Sequence, residues 1–282
     1  KSSLLEALFF LGHGKSFRTS KVDSLACHNT SSFVVSVRDS NNRQLGLSRD
    51  INSGLTNIKI DGQRHNKLSA LAKNIAIQIV TPESFKLFFG GPRERRRFID
   101  LGMFHVKHDF STLWKHFNRV LKQRNATIRL SNSLHRTTDD SMLNYWTDQF
   151  CQLSIEVSEQ RASYVSEIIS ELNSWLAILL PDLTERVTVQ YLQGWPQKNS
   201  LYEVLNSYHE KEAKFGYSLY GAHKFDVKFL LDKKSIETQL SRGQQKLFLL
   251  ALTFAQANFI ARVRLVKPIL LIDDIGAELD IN

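Results

Sequence analysis

Two short stretches of this 282-residue chain hold side chains suited to chemistry on a phosphate. Ile269-Leu270-Leu271-Ile272 is a short apolar run that ends in Asp273-Asp274. A carboxylate at the C-terminal tip of a parallel strand buried on both faces stands where open α/β sheets bind their ligands. In such a place Asp273 supports Mg2+, and Asp274 positions or activates an attacking water. Upstream, Leu240-Ser241-Arg242-Gly243-Gln244-Gln245-Lys246 leads into an apolar, helix-like stretch, Leu247–Phe259. Ser241 offers a hydroxyl, Gly243 and Gln244 open a backbone to an anion, and the first helical turn supplies oriented N–H groups. A plain N-cap at Ser241 and surface carboxylates at 273 and 274 are the simpler readings of each stretch alone.

The first residues supply a second phosphate-binding candidate. Lys1-Ser2-Ser3-Leu4-Leu5-Glu6-Ala7-Leu8 reads as the end of a P-loop whose helix has already begun. Lys1 would reach the β- and γ-phosphates, Ser2 would ligate Mg2+, and Ser3 would follow in the same turn. Gly14-Lys15-Ser16 is a decoy, because the motif requires glycine at the position of Phe9 and the preceding residues read as a helix ending near Gly12.

Glycine and proline mark out the elements that must position these groups. None occurs between Gly102 and Pro181, an all-helical signature. Phe110, Leu113, Trp114, Phe117, Val120 and Leu121 keep helical spacing, as do Val165, Ile168, Ile169, Leu172, Trp175, Leu176 and Leu179. About three helices forming an antiparallel inserted arm are expected, without a long heptad coiled coil. Trp114, Trp146 and Trp175 read as core. On the flanks, Ser32–Arg38 alternates as a strand, and Ile58-Lys59-Ile60 runs into the hairpin signal Asp61-Gly62. Residues 75–80, 187–192 and 225–231 also read as strands.

Lysine and arginine number 37 against 28 acids, a net charge of +9. Between Phe110 and Arg136 there are six basic residues and no acid. At about 100° per residue, Lys115, Arg119, Lys122 and Arg129 fall within about 80° of one another, opposite Phe110, Phe117 and Leu121. Such a stripe suits the phosphates of DNA; a merely solvated helix face is the alternative. Arg93, Arg95, Arg96 and Arg97 form a second cluster, in which Arg95 and Arg96 are equally read as structural partners of Glu83 or Asp100. Cys27 and Cys151 lack metal or disulfide-framework spacing, which points to a reducing compartment, and the histidines form no ligand set. The longest apolar stretch, 247–260, falls short of the about 20 residues a bilayer needs. No signal peptide is evident, and with no initiating methionine the chain is expected to be a fragment.

The order Leu-Ser-x-Gly-Gln, helix, apolar strand, acid pair is that of the ABC-type signature and Walker B unit, with Asp280 at the place of the D-loop acid that meets a partner subunit. Over nearly its whole length the chain resembles the RecF family of bacterial recombination-repair ATPases. The matching stretches are residues 1–8 and 11–19, Thr81-Pro82-Glu83, Gly91-Pro92-x-x-Arg95-Arg96-x-Phe98-Ile99-Asp100 and Gln193-Gly194-Trp195. Tyr220-Gly221-Ala222-His223-Lys224-x-Asp226, the signature, and Asp273-Asp274 to Glu278-Leu279-Asp280 complete them. Ala222 and Lys224 depart from the family's usual Pro and Arg, and lysine lacks the bidentate fork.

The resemblance implies an α/β fold: an ABC-type P-loop ATPase head of mixed β-sheets with flanking helices, interrupted by a helical second domain. The expected division is 1–108 for the N-terminal part of the head, 109–196 for the helical arm and 197–282 for the C-terminal part. It also implies ATP and Mg2+ as cofactors, an ATP-dependent homodimer and binding to single-stranded, gapped or duplex DNA. RecO, RecR and RecA are the implied partners, in a cytoplasmic role in repair, replication and SOS induction. An ATP-binding DNA adaptor without significant turnover, and an SMC-like or transporter-type ABC ATPase, are the alternatives.

Overall fold

Alternation and helical spacing build the first elements. The computed structural model describes residues 2–40, 42–67, 69–107, 109–133 and 140–273. Helix α1 (Ser2–His13) buries Phe9, Phe10 and Leu11. The Gly14 N–H donates to Phe10 O (2.7 Å) and closes the helix in a left-handed residue, φ 64°. Gly14 is thus a helix stop, and Ser16 Oγ accepts the N–H groups of Arg18 and Thr19 instead of facing a phosphate cradle. Strands β1 (Ser32–Arg38), β2 (Gln44–Asp50), β3 (Thr56–Ile60) and β4 (Gln63–His65) form an antiparallel meander. Asp61 (φ 48°) and Gly62 (φ 82°) make the tight turn between β3 and β4. The inner face of the sheet, Leu45, Leu47, Ile58 and Ile60, packs into one core with Phe9, Phe10 and Leu11. Short α2 (Ser69–Asn74) adds Leu71 to it, and β5 (Ile77–Val80) adds Ile77.

Residues 85–255 form the second of two compact units; the first comprises 1–84 and 256–282. After α3 (Lys86–Phe89), Gly91 and Pro92 open α4 (Pro92–Val106), with proline at the helix start where its missing N–H is harmless. The stretch free of glycine and proline then forms α5 (Phe110–Ser133) and α6 (Asp140–Leu179). Arg124 meets Thr147, Phe117 stacks on Phe150, and Trp114 lies on Arg161, so contacts run in opposite senses along an antiparallel hairpin. Next come β6 (Val187–Leu192), α7 (Leu201–Ser207), α8 (His209–Phe215), β7 (Asp226–Leu231) and β8 (Lys234–Ser235). The last two strands join β6 in an antiparallel sheet. Ser200 and Glu203 cap α7 reciprocally.

Three buried arginines tie this unit together. Arg161, with no exposed side chain, donates to both Asp100 oxygens (2.9 and 3.1 Å) and to Ala222 O (2.6 Å). Its guanidinium lies 3.8 Å from the Phe225 ring centroid and 4.6 Å from that of Trp114. Arg95 forks onto Asp226 (2.9 Å twice) and reaches Glu237 (3.1 Å), while Arg96 donates to Phe225 O. The partners of Arg95 are therefore Asp226 and Glu237, not Glu83 or Asp100. Arg124 holds buried Glu212 (2.8 Å), Thr147 and Ser218. Gly194 (φ 102°) and Gly221 (φ 131°) join the two loops beside Arg161: the Gly221 N–H donates to Gly194 O (3.2 Å). A Cβ on Gly194 would strike Gly221 O, and one on Gly221 would strike the Phe150 ring, so neither site admits a side chain.

Helix α9 (Arg242–Arg264) passes from the second unit into the first and feeds β9 (Ile269–Ile272), which pairs in parallel with β5. By length and composition α9 could cross a membrane, because the helix extends beyond the apolar stretch 247–260 at both ends. Yet 61% of its most apolar window is buried inside the protein. Gln245 and Gln256 are buried along it, and Gln256 accepts from Gln78 at 2.7 Å, as in a core helix. Strand β9 departs from the expected burial on both faces: Leu271 is 3% exposed, but Ile269 is 38% and Ile272 46% exposed. Among the described residues β9 pairs with β5 alone, so only part of its surface is covered.

Removing Arg161 would leave Asp100 charged and buried without its counter-ion. Arg161→Ala is expected to cost about 3–5 kcal/mol, read as a lowered urea midpoint, while Arg161→Met with Asp100→Leu should recover most of the loss.

Candidate functional site

Strand pairing places Asp273 directly. Its N–H donates to Val80 O (2.9 Å), continuing the β5–β9 ladder by one residue, so its half-buried carboxylate emerges at the C-terminal end of a parallel pair. Gly12, in the last turn of α1, lies against Ile77, the first residue of β5. Leu5 and Leu8 pack into the same core as Ile79. The last turn of α1 thus packs on the start of β5, and the body of the helix shares its core with both strands through Ile77 and Leu271. Ser2 is half-buried and Ser3 exposed in that first turn, which contains no acid. The Ser2 hydroxyl and the Asp273 carboxylate are hard oxygen donors of the kind magnesium takes, and the first turn of α1 carries no acid to repel a phosphate. Lys1, Asp274 and Asp280 lie outside the described residues.

Ser241, Gly243 and Gln244 belong to the other unit. Ser241 is the N-cap of α9: its Oγ accepts the Gln244 N–H (3.3 Å), and its own N–H donates to Gln244 Oε1 (3.0 Å). The plain N-cap geometry is therefore present. Gly243 is the informative residue, because an added Cβ there would meet nothing within 4 Å. Nothing inside the described chain demands glycine at 243, and the N-terminal turn of α9 is open to an approaching surface.

The predicted cationic stripe divides. Lys115, Arg119 and Lys122 are exposed on α5. Arg129 is also exposed, but its Nη1 donates to Gly216 O (3.2 Å) at the end of α8. Arg124, on the same helix, is consumed by Glu212 on the buried side.

The sequence singled out the Gly91–Asp100 and Tyr220–Asp226 blocks without showing why they belong together. Arg95 of the first grips Asp226 of the second, and Arg161 joins Asp100 of the first to Ala222 of the second. Arg161 itself escaped notice. Its position between Val157 and Tyr164, on the apolar face of α6, was the available signal.

Comparison with known proteins follows from this geometry. The RecF/RecN/SMC N terminal domain family matches residues 1–282. A DNA replication and repair protein RecF from Colwellia psychrerythraea is 69% identical over the whole chain and 73% of its own length. This chain belongs to the RecF family of DNA replication and repair proteins. A RecF from Pseudoalteromonas translucida is 40% identical over 99% of the chain and 76% of its own length. A solved structure of the recombination mediator protein RecF-ATPrS in the RecFOR pathway shares the fold. Its TM-score is 0.85 at 22% identity, over 99% of this chain and 77% of that one. The RecF-family fold confirms the expected α/β head with mixed sheets and helices.

Within the Tyr220–Asp226 block of this RecF-family chain, His223 packs near the Phe117 and Phe150 rings. Its Nε2 lies 3.0 Å from Ser218 O, while Nδ1 is buried with no partner. A carbonyl partner requires Nε2 to carry a proton; Nδ1, buried without an acceptor, disfavours a second one, and burial pushes the pKa down to about 4, so the ring is neutral at pH 7. The unfolded chain takes up that proton near pH 6.5, so stability should fall between about pH 6.5 and 4 and level off below. The expected loss is about 3 kcal/mol. Urea unfolding at pH 7 and pH 4.5 measures it, and His223→Gln should remove that part of the slope.

Proposed function

We propose that this chain is the greater part of an ATP-gated DNA clamp acting in recombinational repair. The observation that carries the reading is Asp273 at the C-terminal end of the β5–β9 pair, with α1, whose first turn holds no acid, packed into the same core as both strands. Lys1, Ser2 and Ser3 bind the nucleotide phosphates, and Ser2 and Asp273 hold Mg2+. Mg2+ held there would supply positive charge to offset that of the phosphates. Asp274 orients the attacking water. Ser241, Gly243 and Gln244 of a second copy cap the γ-phosphate, and Asp280 meets the partner subunit. Open space at Gly243 supports this, because close approach by another molecule accounts for a glycine that the fold does not require.

In this reading residues 1–108 and 197–282 supply the ATPase head and 109–196 the arm. Two heads close on ATP, and closure aligns the Lys115, Arg119, Lys122 and Arg129 faces on single-stranded, gapped or duplex DNA. The charge of +9 favours such contacts, which are independent of sequence and weakened by salt. Family membership supports a cytoplasmic protein that works with RecO and RecR to load RecA and permits SOS induction. It supports the RecFOR assignment as well, since solved relatives carry that description.

Ser241→Arg tests the capping role in this mechanism. In the full-length protein, light scattering should show ATP-induced dimers for the unaltered protein and none for the variant, with the monomer melting temperature within a few degrees. Normal dimerisation of the variant would refute the capping role.

A further inference from the structure

The exposed surface next to the α5 stripe holds a feature that phosphate binding leaves unused. Phe215, the last residue of α8, is 57% exposed, and Tyr217, two residues on, is 41% exposed. Their ring centroids lie 6.0 Å apart at 43°. Gly216 between them is left-handed (φ 75°) and offers its carbonyl to Arg129 at 3.2 Å, which fixes the aromatic pair to the end of the cationic helix face. A Cβ on Gly216 would approach Arg129 Cγ to 3.0 Å, so the seat is close-fitting. Lys224 Nζ stands 5.4 Å from the Tyr217 ring centroid. Arg129, Lys122 and Lys115 follow at seven-residue intervals, two turns or about 10 Å apart, and Arg119 lies between them. From Phe110 to Ser133 the helix has no carboxylate.

We infer that Phe215 and Tyr217 form a base-stacking platform that reads single-stranded DNA whose backbone follows the Lys115–Arg129 stripe. The inference rests on the DNA-facing reading of α5 and adds to it the group that tells a single strand from a duplex. Cations alone cannot make that distinction, because both forms present phosphates. An exposed π face can, because only an unpaired base is free to leave its stack and lie on the ring. The local chemistry favours nucleic acid over an apolar protein surface, since cations from two chain segments, Arg129 and Lys224, flank the rings.

The test uses the full-length protein and three fluorescein-labelled probes of equal length: oligothymidylate, the same backbone with abasic sugars, and a blunt duplex. Phe215→Ala and Tyr217→Ala should each weaken oligothymidylate binding about tenfold, with little change for the other two probes and an unaltered salt slope. Phe215→Leu should behave like the alanine variant, because bulk without a π face does not stack, and Phe215→Trp should retain affinity. Lys115→Ala with Lys122→Ala should weaken all three probes and lower the salt slope by about two ions. Aromatic variants that bind oligothymidylate normally, or that lose all three probes equally, would overturn the platform. Failure of the unaltered protein to bind any probe would instead remove the DNA-facing reading, and the platform with it. Unchanged melting temperatures for these surface variants establish that folding is intact.

Discussion

Arg161 is a cation with no contact with water, and the arrangement of the larger unit follows from what that charge requires. Burial pushes its pKa down, and burial likewise pushes the Asp100 carboxyl up, so desolvation outweighs mutual attraction for both partners. Such a pair contributes little net stability, but it tolerates no loose geometry. Each guanidinium nitrogen must find an acceptor, and each does: two reach Asp100 and the third reaches Ala222 O. The aromatic rings around it supply negative π faces in place of water. Asp100 is on α4, Arg161 on α6 and Ala222 just before β7, so one side chain fixes three segments distant in sequence.

Arg95 and Arg124 repeat this logic with different partners. The Asp226 hydrogen bonds raise the Arg95 pKa, in contrast to Arg161, because a bidentate carboxylate outweighs burial there. Arg124 finds Glu212 in nearly complete burial, and Glu212 uses its other oxygen to accept the Leu219 N–H (2.7 Å). Much of the block pattern that marks the family therefore describes a scaffold. Gly91–Asp100 and Tyr220–Asp226 are the two halves of a buried polar junction, joined by Arg95 to Asp226 and by Arg161 to Asp100 and Ala222.

Local periodicity made much of the fold legible. Ser32–Arg38 and Val187–Leu192 are strands over those bounds, because alternation along one half-buried face leaves little freedom. Asp61-Gly62 forms its turn because both positions adopt left-handed backbone. The burial of β9 was less legible: four apolar residues in a row cannot say which faces a neighbour covers. Ser2, Ser3 and Asp273 were legible as candidates only through the distant signature, because two residues at a helix start and one acid after a strand are too common to stand alone. The exposed pair Phe215 and Tyr217 gave no sequence signal, since two aromatic residues at a helix end read as core until the backbone turns them outward.

Charge selection on α5 shows where sequence reasoning succeeds and where it must stop. Arg119 and Arg124 are five residues apart, so helical geometry sets them about 140° from each other. That angle suffices to send Arg119 toward solvent and Arg124 into the apolar side of the hairpin, as found. It cannot name Glu212, 88 residues later, as the counter-ion. A cation on the inward face obliges the fold to bring it a carboxylate, and every compact alternative must meet the same demand. The distant partner is thus a property of the tertiary structure, while the requirement for one is already written in the local sequence. The outward residues carry no such obligation, which leaves Lys115, Arg119 and Lys122 available for a negatively charged ligand.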